Sequence, residues 1–248
     1  MTPRLSVTVI TWNEEERLRR CLESVTWADE IVVVDAGSDD KTVEIARGFT
    51  DHVVVRPWEG FAPQKNFAIA RATGDWILSL DADEEVPAEL AAEIRRVIAA
   101  PTADGFSVAR RNIFWGRWVR HGLLYPDRQM RLFRRGRGRF VERQVHESVE
   151  IDGTVGRLAG ALEHRSYRDV ADFIARTNRY TTLAADEWIR SGRPIRRSDL
   201  VLRPLGRFVS MYVVHGGWLD GWRGFLLAAL YAYYVFVRSA KVWERVKS

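Results

Sequence analysis

Two aspartates spaced by one residue, Asp81 and Asp83, close the apolar run Trp76-Ile77-Leu78-Ser79-Leu80 and are followed directly by Glu84 and Glu85. Alternate side chains of a strand point to the same side, so both aspartates would leave the strand's carboxyl end together. Paired oxygen donors suit Mg²⁺ or Mn²⁺, ions that keep coordination positions open for substrate phosphates. An acidic cap on the next helix would give the same short pattern, so the surrounding elements must decide between the two.

Those elements alternate. Leu5 to Ile10 reads as a first strand, and Asn13 with Glu16 has the spacing of a capping box for a helix through Leu18, Leu22 and Val25. Glu30 to Asp35 is a continuous apolar strand of the kind buried in parallel sheets. It is followed by the turn Ala36-Gly37-Ser38-Asp39-Asp40 and a helix from Lys41 to Arg47. A strand at His52 to Val55, a helix at Pro63 to Ala72 and the strand ending at Leu80 complete the pattern. Such alternation predicts an α/β fold, a doubly wound and mainly parallel sheet. Ligands bind beyond the carboxyl ends of its strands. Thr11, Asn13 and Glu14, then Asp35, then Asp81 and Asp83 follow three of those ends, and three strands delivering polar groups to one rim exceed what capping explains.

Length and charge narrow the chemistry. The 248 residues are 46% hydrophobic and 29% charged, a globular composition with room for a sizeable core. Residues 1–105 carry 11 Lys and Arg against 20 Asp and Glu, whereas residues 106–248 carry 27 against 13. An acidic half able to hold a cation thus precedes a basic half able to face an anion or a membrane. Cys21, the single cysteine, excludes an internal disulfide and, at helical spacing with Leu18, Leu22 and Val25, reads as a core thiol. Leu5 to Ile10 is too short for a secretory signal.

No Gly-x-Gly-x-x-Gly follows the first strand and no P-loop pattern occurs, so dinucleotide and P-loop chemistry are excluded. An acidic rim then needs a cation to hold a diphosphate. Three blocks carry a resemblance: Val7 to Glu15, Val32 to Thr42 and Leu80 to Glu84. In this order and spacing they resemble the nucleotide-sugar half of family 2 glycosyltransferases of the GT-A fold. Gly60 to Asn66 is similar to the branch of lipopolysaccharide-core glucosyltransferases. The resemblance implies an inverting transferase that uses a UDP-sugar and a divalent metal, Mn²⁺ or Mg²⁺. It implies that Thr11, Asn13, Glu14 and Asp35 meet the nucleoside, with Gln64, Lys65 and Ala82 nearby. Asp81 would meet the ribose or a metal-bound water, and Asp83 the metal itself.

The basic half opens with a strand from Gly105 to Phe114, a turn at Trp115 to Trp118 and a strand from Asp127 to Arg135. Seven arginines lie between residues 128 and 143. Arginine's fork suits phosphate, and Arg128 is the candidate for the donor, although an exposed strand face alternating with Arg would look the same. Inverting transfer needs a base for the acceptor hydroxyl on the face opposite the leaving group. The resemblance includes Val145-His146-Glu147 and points to Glu147, with Asp127 and Glu142 behind it. It also suggests His146 and His164 as metal or phosphate contacts, where packed histidines would serve equally. Asp152-Gly153-Thr154 predicts a hairpin turn.

A helix is expected from Asp169 through Trp188, broken by Gly192-Arg193-Pro194. Residues 208–243 hold ten of the 28 aromatics, and the uncharged run Phe225 to Val237 is thirteen residues long, short of the ~18–20 that span a bilayer. A membrane-interface hairpin on an anionic surface, a homo-oligomer contact and a plain helical core all fit that composition. The expected organisation is a nucleotide-sugar half at 1–104, an acceptor and catalytic half of the same domain at 105–166, and a helical extension at 167–248. The expected activity is transfer of a hexose to a saccharide or lipid-linked saccharide acceptor in cell-envelope glycan synthesis, from the cytoplasmic side of the plasma membrane. A polyprenyl-phosphate glycosyltransferase is the near alternative. A nucleotidyltransferase would need a glycine-rich basic loop where Asn13-Glu14-Glu15-Glu16 stands. A nucleic-acid-binding module would leave the acidic rim unexplained, and a sugar-binding protein that has lost catalysis would be separated from an enzyme by a donor-hydrolysis assay.

Overall fold

The computed structural model describes residues 2–141 and 148–247, so Glu142, His146 and Glu147 lie outside the described residues. The chain divides into two compact units, residues 1–110 with 128–164 and residues 111–127 with 165–248. Segment 111–127 therefore groups with the C-terminal helices, and 128–164 with the N-terminal half.

The first unit begins with β1 (Leu5–Thr11), α1 (Leu18–Glu23), β2 (Glu30–Asp35), α2 (Thr42–Arg47), β3 (Val53–Val55), α3 (Phe61–Arg71) and β4 (Trp76–Asp81). Next come β5 (Glu84–Glu85), α4 (Ala88–Ala99) and β6 (Gly105–Phe114), whose far end runs into the second unit with β7 (Arg117–Trp118). β8 (Asp127–Arg134), β9 (Gly138–Val141), β10 (Ser148–Ile151) and β11 (Val155–His164) return the chain to the first. β3, β2, β1 and β4 are parallel neighbours, and β8, antiparallel to β4, continues the sheet through β6 and β11 to β5. This is the α/β architecture expected, and the apolar runs explain it. β1 is buried at every residue, and β2 and β4 at all but one end, because helices cover both faces. One face packs Leu18, Leu22, Leu90 and Ile94 under Val7, Val33 and Leu78. Opposite them, Ala68 lies on Ile10 and Val34, while Ala62 joins Ile77 and Phe133.

Two local expectations are corrected. α1 starts at Leu18 with no side-chain cap, because Asn13 sits at φ +53° and spends its Oδ1 accepting the Asp39 N–H. The turn at Asp152–Thr154 joins β10 to β11, but β10 pairs with β9. Asp104 takes the Thr154 N–H and hydroxyl, and the Asp104 and Gly105 amides donate to the Thr154 carbonyl, so β11 starts alongside β6. Glu84 and Glu85 are likewise not the acidic helix cap that stood as the alternative to a rim: they form β5, antiparallel to Glu163 and His164 of β11.

The second unit holds α5 (Val170–Arg190), capped by Asp169 through the Asp172 N–H, and α6 (Asp199–Val209). A π-turn at Ser210–Val214 and a 3₁₀ turn at Gly217–Asp220 lead to α7 (Gly221–Lys247). Phe114, Met211 and Leu227 centre its core. At Gly224 a Cβ would fall 1.8 Å from the Gly217 carbonyl oxygen, so only glycine lets the chain fold back here.

Candidate active site

The site is built at the carboxyl ends of β1, β2 and β4, where register places Thr11 beside Asp35 and Ile10 beside Asp81. Asp35 is buried, and its carboxylate accepts the Gly37 and Ser38 amides at 2.9 and 2.8 Å and the Ser38 hydroxyl at 2.5 Å. The turn it organises needs φ +86° at Gly37, which glycine supplies without strain. Ser38 Oγ also accepts the Asn13 N–H, and Thr42 Oγ1 accepts that of Glu14, both at 2.8 Å. The loops after β1 and β2 are thus stitched into one wall. Asp35 thus braces that wall, its Oδ1 accepting one of the three bonds and its Oδ2 two.

Asp81 lies in a charged network. Lys65 Nζ stands 2.8 Å from its Oδ1, and Arg131 Nη2 bonds its Oδ2 at 2.5 Å and Glu84 Oε1 at 2.6 Å. Glu84 Oε2 accepts the Asp81 N–H at 3.0 Å, and Arg110 approaches Glu84 at 3.5 Å. α3 aims Lys65 because Asn66 pairs both ways with the Phe140 backbone of β9, and the ammonium rests 4.9 Å from the Phe140 ring. Burial would raise the Asp81 pKa, but the charges of Arg131 and then Lys65 hold it well below the carboxylate range. Arg131 is shifted up because Asp81 and Glu84 outweigh its own burial.

Asp83 has different company. β5–β11 pairing sets His164 opposite Glu84, and His164 Nε2 comes within 3.5 Å of Asp83 Oδ2. Arg17 Nη1 approaches the same oxygen at 3.5 Å. Burial again raises the Asp83 pKa, and His164, by charge and hydrogen bond, outweighs it, with Arg17 adding to the fall and Asp81 opposing it. Cys21, fully buried, points its thiol at the Asp81 carbonyl, and burial followed by the surrounding carboxylates raises its pKa, as a core thiol requires.

Of the remaining candidates, Thr11 and Gln64 are buried, and Thr11 Oγ1 and Gln64 Oε1 find no hydrogen-bond partner among the described residues. Ala82 packs into the core beneath the site, and Glu14 faces Arg17 at 3.5 Å. Arg128 is exposed and donates to the Leu158 carbonyl at 3.2 Å, while the arginines that meet the rim carboxylates are Arg131, Arg17 and Arg110. Arg131 and Arg17 are the residues sequence reasoning missed. One was hidden in a run of seven arginines and the other just after residues whose spacing pointed to a capping box. Asp127 groups with the second unit.

Among the described residues no three His, Cys, Asp or Glu side chains converge as a metal-holding group. What the rim offers is a pair, Asp83 and His164, both mostly buried. A carboxylate oxygen and an imidazole nitrogen fit a divalent ion whose other positions go to phosphate oxygens and water. Asp81, held by two cations, fits a supporting role better than a ligand's.

The profile described as Glycosyl transferase family 2 matches residues 6–165, which include every rim residue named above. The chain belongs to glycosyl transferase family 2. This family 2 glycosyltransferase is 34% identical over 255 residues to a lipopolysaccharide core biosynthesis glycosyltransferase, LpsC, of Rhizobium meliloti, covering 99% of the chain and 94% of the relative. It is 30% identical over 257 residues to an uncharacterized glycosyltransferase of Rickettsia bellii, covering 98% and 87%. Its fold is shared by the mannosyltransferase PcManGT of Pyrobaculum calidifontis, solved with GDP-Man and Mn²⁺, at a TM-score of 0.57 and 16% identity over 98% of this chain and 88% of that one. The GT-A fold expected for the glycosyltransferase is therefore the one observed.

Proposed function

We propose that the chain is an inverting hexosyltransferase that moves a sugar from a UDP-sugar to a saccharide acceptor in the assembly of a lipopolysaccharide core. The acceptor class is supported by the full-length likeness to the core glycosyltransferase of Rhizobium meliloti. The observation that carries the reading is the pairing of Asp83 with His164 at the end of β4, beside the Lys65–Asp81–Arg131 network. A divalent cation held by Asp83 and His164 would screen the donor's diphosphate and stabilise the charge that gathers on it. Lys65 and Arg131 fix the Asp81 carboxylate, ionised, for the donor's ribose or a bound water. Thr11 Oγ1 and Gln64 Oε1, buried and unsatisfied, are groups that a nucleoside's hydroxyls and imino hydrogens can complete.

In the reaction, the acceptor oxygen forms its bond to the anomeric carbon as the bond from that carbon to the diphosphate oxygen breaks, and the hydroxyl proton passes to a carboxylate on the acceptor side. Glu147, in Val145-His146-Glu147, is the proposed base, with the geometry outside the described residues. The reading places the reaction in the cytoplasm, where nucleotide sugars are made.

Isothermal titration and transfer assays test it together. Asp83→Ala abolishes Mn²⁺-dependent UDP binding and transfer, and His164→Ala weakens both. Glu147→Gln abolishes transfer while leaving UDP binding intact, and turnover retained in that variant would remove Glu147 as base.

A further inference from the structure

The second unit carries an apolar surface that its own core does not use. No residue of α6 is buried, and Val201, Leu202 and Leu205 are 66%, 62% and 55% exposed. With Val209 they recur at i, i+1, i+4 and i+8, which places all four within about 100° of the helix circumference at 3.6 residues per turn. The inward side of the same hairpin is Phe208 and Tyr212, whose rings meet Phe225 at 5.7 and 5.6 Å. The exposed strip borders this inward side, Phe208 lying about 20° from Val201 around the helix, and is left uncovered. In the turns after the helix and at the start of α7, Val213, Val214, Trp218, Leu219 and Trp222 are also more than half exposed. Nine exposed large apolar side chains within residues 201–222 are a denser set than the singly scattered ones of an ordinary soluble surface.

The charge around it has one sign. The second unit holds 18 Lys and Arg against 8 Asp and Glu. Arg196 and Arg197 precede α6, and Arg203 and Arg207 stand on its other side. Arg203, Arg238 and Arg193 lie 4.6, 5.2 and 5.9 Å from the Trp188 ring. Arg197 lies 5.8 Å from the ring of Trp243. An apolar strip with Arg196 and Arg197 at its start, in a unit of strong positive charge, matches the two layers of a bilayer interface, acyl boundary and phosphate headgroups.

We propose that the exposed face of α6 and of the turns after it docks on an anionic phospholipid bilayer, with α6 lying in the interfacial plane. Its apolar strip enters the acyl boundary while the flanking arginines reach phosphates, the arrangement by which amphipathic helices bind such surfaces. A second copy of the chain is the poorer occupant, because a two-fold contact would bring together two units that each carry 18 Lys and Arg against 8 Asp and Glu. Gly217–Val246 is long and apolar enough to cross a membrane. However, Lys241 of α7 donates to the Asn178 carbonyl and Oδ1 at 2.6 and 2.8 Å and to Thr182 Oγ1 at 2.8 Å, and Arg245 pairs with Asp186. These ties hold α7 along α5 as part of a bundle that rests on the surface.

Sedimentation of the full chain with phosphatidylcholine vesicles, with and without phosphatidylglycerol, tests this. Vesicle binding needs no sugar donor, so the result stands apart from the transfer reaction. The chain is expected to pellet with the anionic vesicles and to be released by alkaline carbonate. Leu202→Glu with Leu205→Glu is expected to weaken binding about a hundredfold, since each leucine loses its burial in the acyl boundary. Arg196→Gln with Arg197→Gln is expected to weaken binding roughly thirtyfold, on anionic vesicles only. Unchanged urea midpoints in both variants would show that the fold is intact. Wild-type chain left in the supernatant, or a double-glutamate variant that pellets as wild type, overturns the proposal. So does resistance to carbonate, which marks a spanning α7. A lipid-free dimer that the double-glutamate variant converts to monomer also overturns it, by assigning the face to a second copy.

Discussion

Arg131 joins Asp81 and Glu84 through a single nitrogen, at 2.5 and 2.6 Å, in a position only 4% exposed. Arg131→Met leaves Glu84, wholly buried, without its principal countercharge, and breaking such a pair from one side costs ~3–5 kcal/mol. Urea unfolding is expected to show that loss. The double variant Arg131→Met with Glu84→Leu is expected to lose markedly less than the two single losses combined, because no buried charge is then stranded. Acid follows the same network. The Asp81 pKa is depressed in the folded chain by Arg131 and Lys65 against its burial, so its ion pairs stabilise the fold above the unfolded carboxylate pKa of about 3.9 and cease to do so as pH falls through the folded value. The gap in unfolding free energy between wild type and Asp81→Asn is expected to be flat above about pH 5 and to close below about pH 4. The aspartates were legible because an apolar strand cannot end in such residues without placing them at a rim. Their partners were not, since pairing Lys65, Arg131 and His164 with them depends on α3, β8 and β11, contacts up to 81 positions apart in sequence that a single chain read in order does not display.

At the scale of elements, the parallel core was legible almost residue by residue. β2 spans Glu30–Asp35 as its apolar run predicts, and β4 extends the expected strand by one residue to Asp81. Local signals failed where a long-range partner took the group they relied on. Asn13 would cap α1 by its spacing, but the amide of Asp39 claims its oxygen. Glu84 and Glu85 favour a helix start by charge, but β11 pairs with them as a strand, and this is what brings His164 to Asp83. The stitched wall of the β1 and β2 loops is a testable consequence. Ser38→Ala removes the acceptor of the Asn13 amide and the hydroxyl donor to Asp35 together, and leaving such groups unsatisfied costs ~1–3 kcal/mol. Hydrogen exchange is expected to show faster opening of the Asn13 and Glu14 amides, with the amides of α5 unchanged.

For the molecule as a whole, charge was legible and its boundary was not. A cut at residue 105 separates an acidic from a basic half, but β8 to β11 return to the first unit and bring eight arginines with them. The units as folded carry 20 Lys and Arg against 25 Asp and Glu in the first and 18 against 8 in the second. Only the first unit holds the rim, so a ligand there is linked to the opening of that unit. At a free concentration about 100 times its Kd, a nucleotide adds ~2.7 kcal/mol to whatever must unfold for the site to be lost. Native-state hydrogen exchange with Mn²⁺ and UDP is therefore expected to slow the most protected amides of β1, β2 and β4 by about a hundredfold. The amides of α5 and α7, with their own core around Met211 and Leu227, are expected to keep their rates. Equal slowing in α5 and α7 would mean that the two compact units open as one cooperative body. No slowing in β1 and β4 would mean that the nucleotide does not bind at the rim where Asp81 and Asp83 stand.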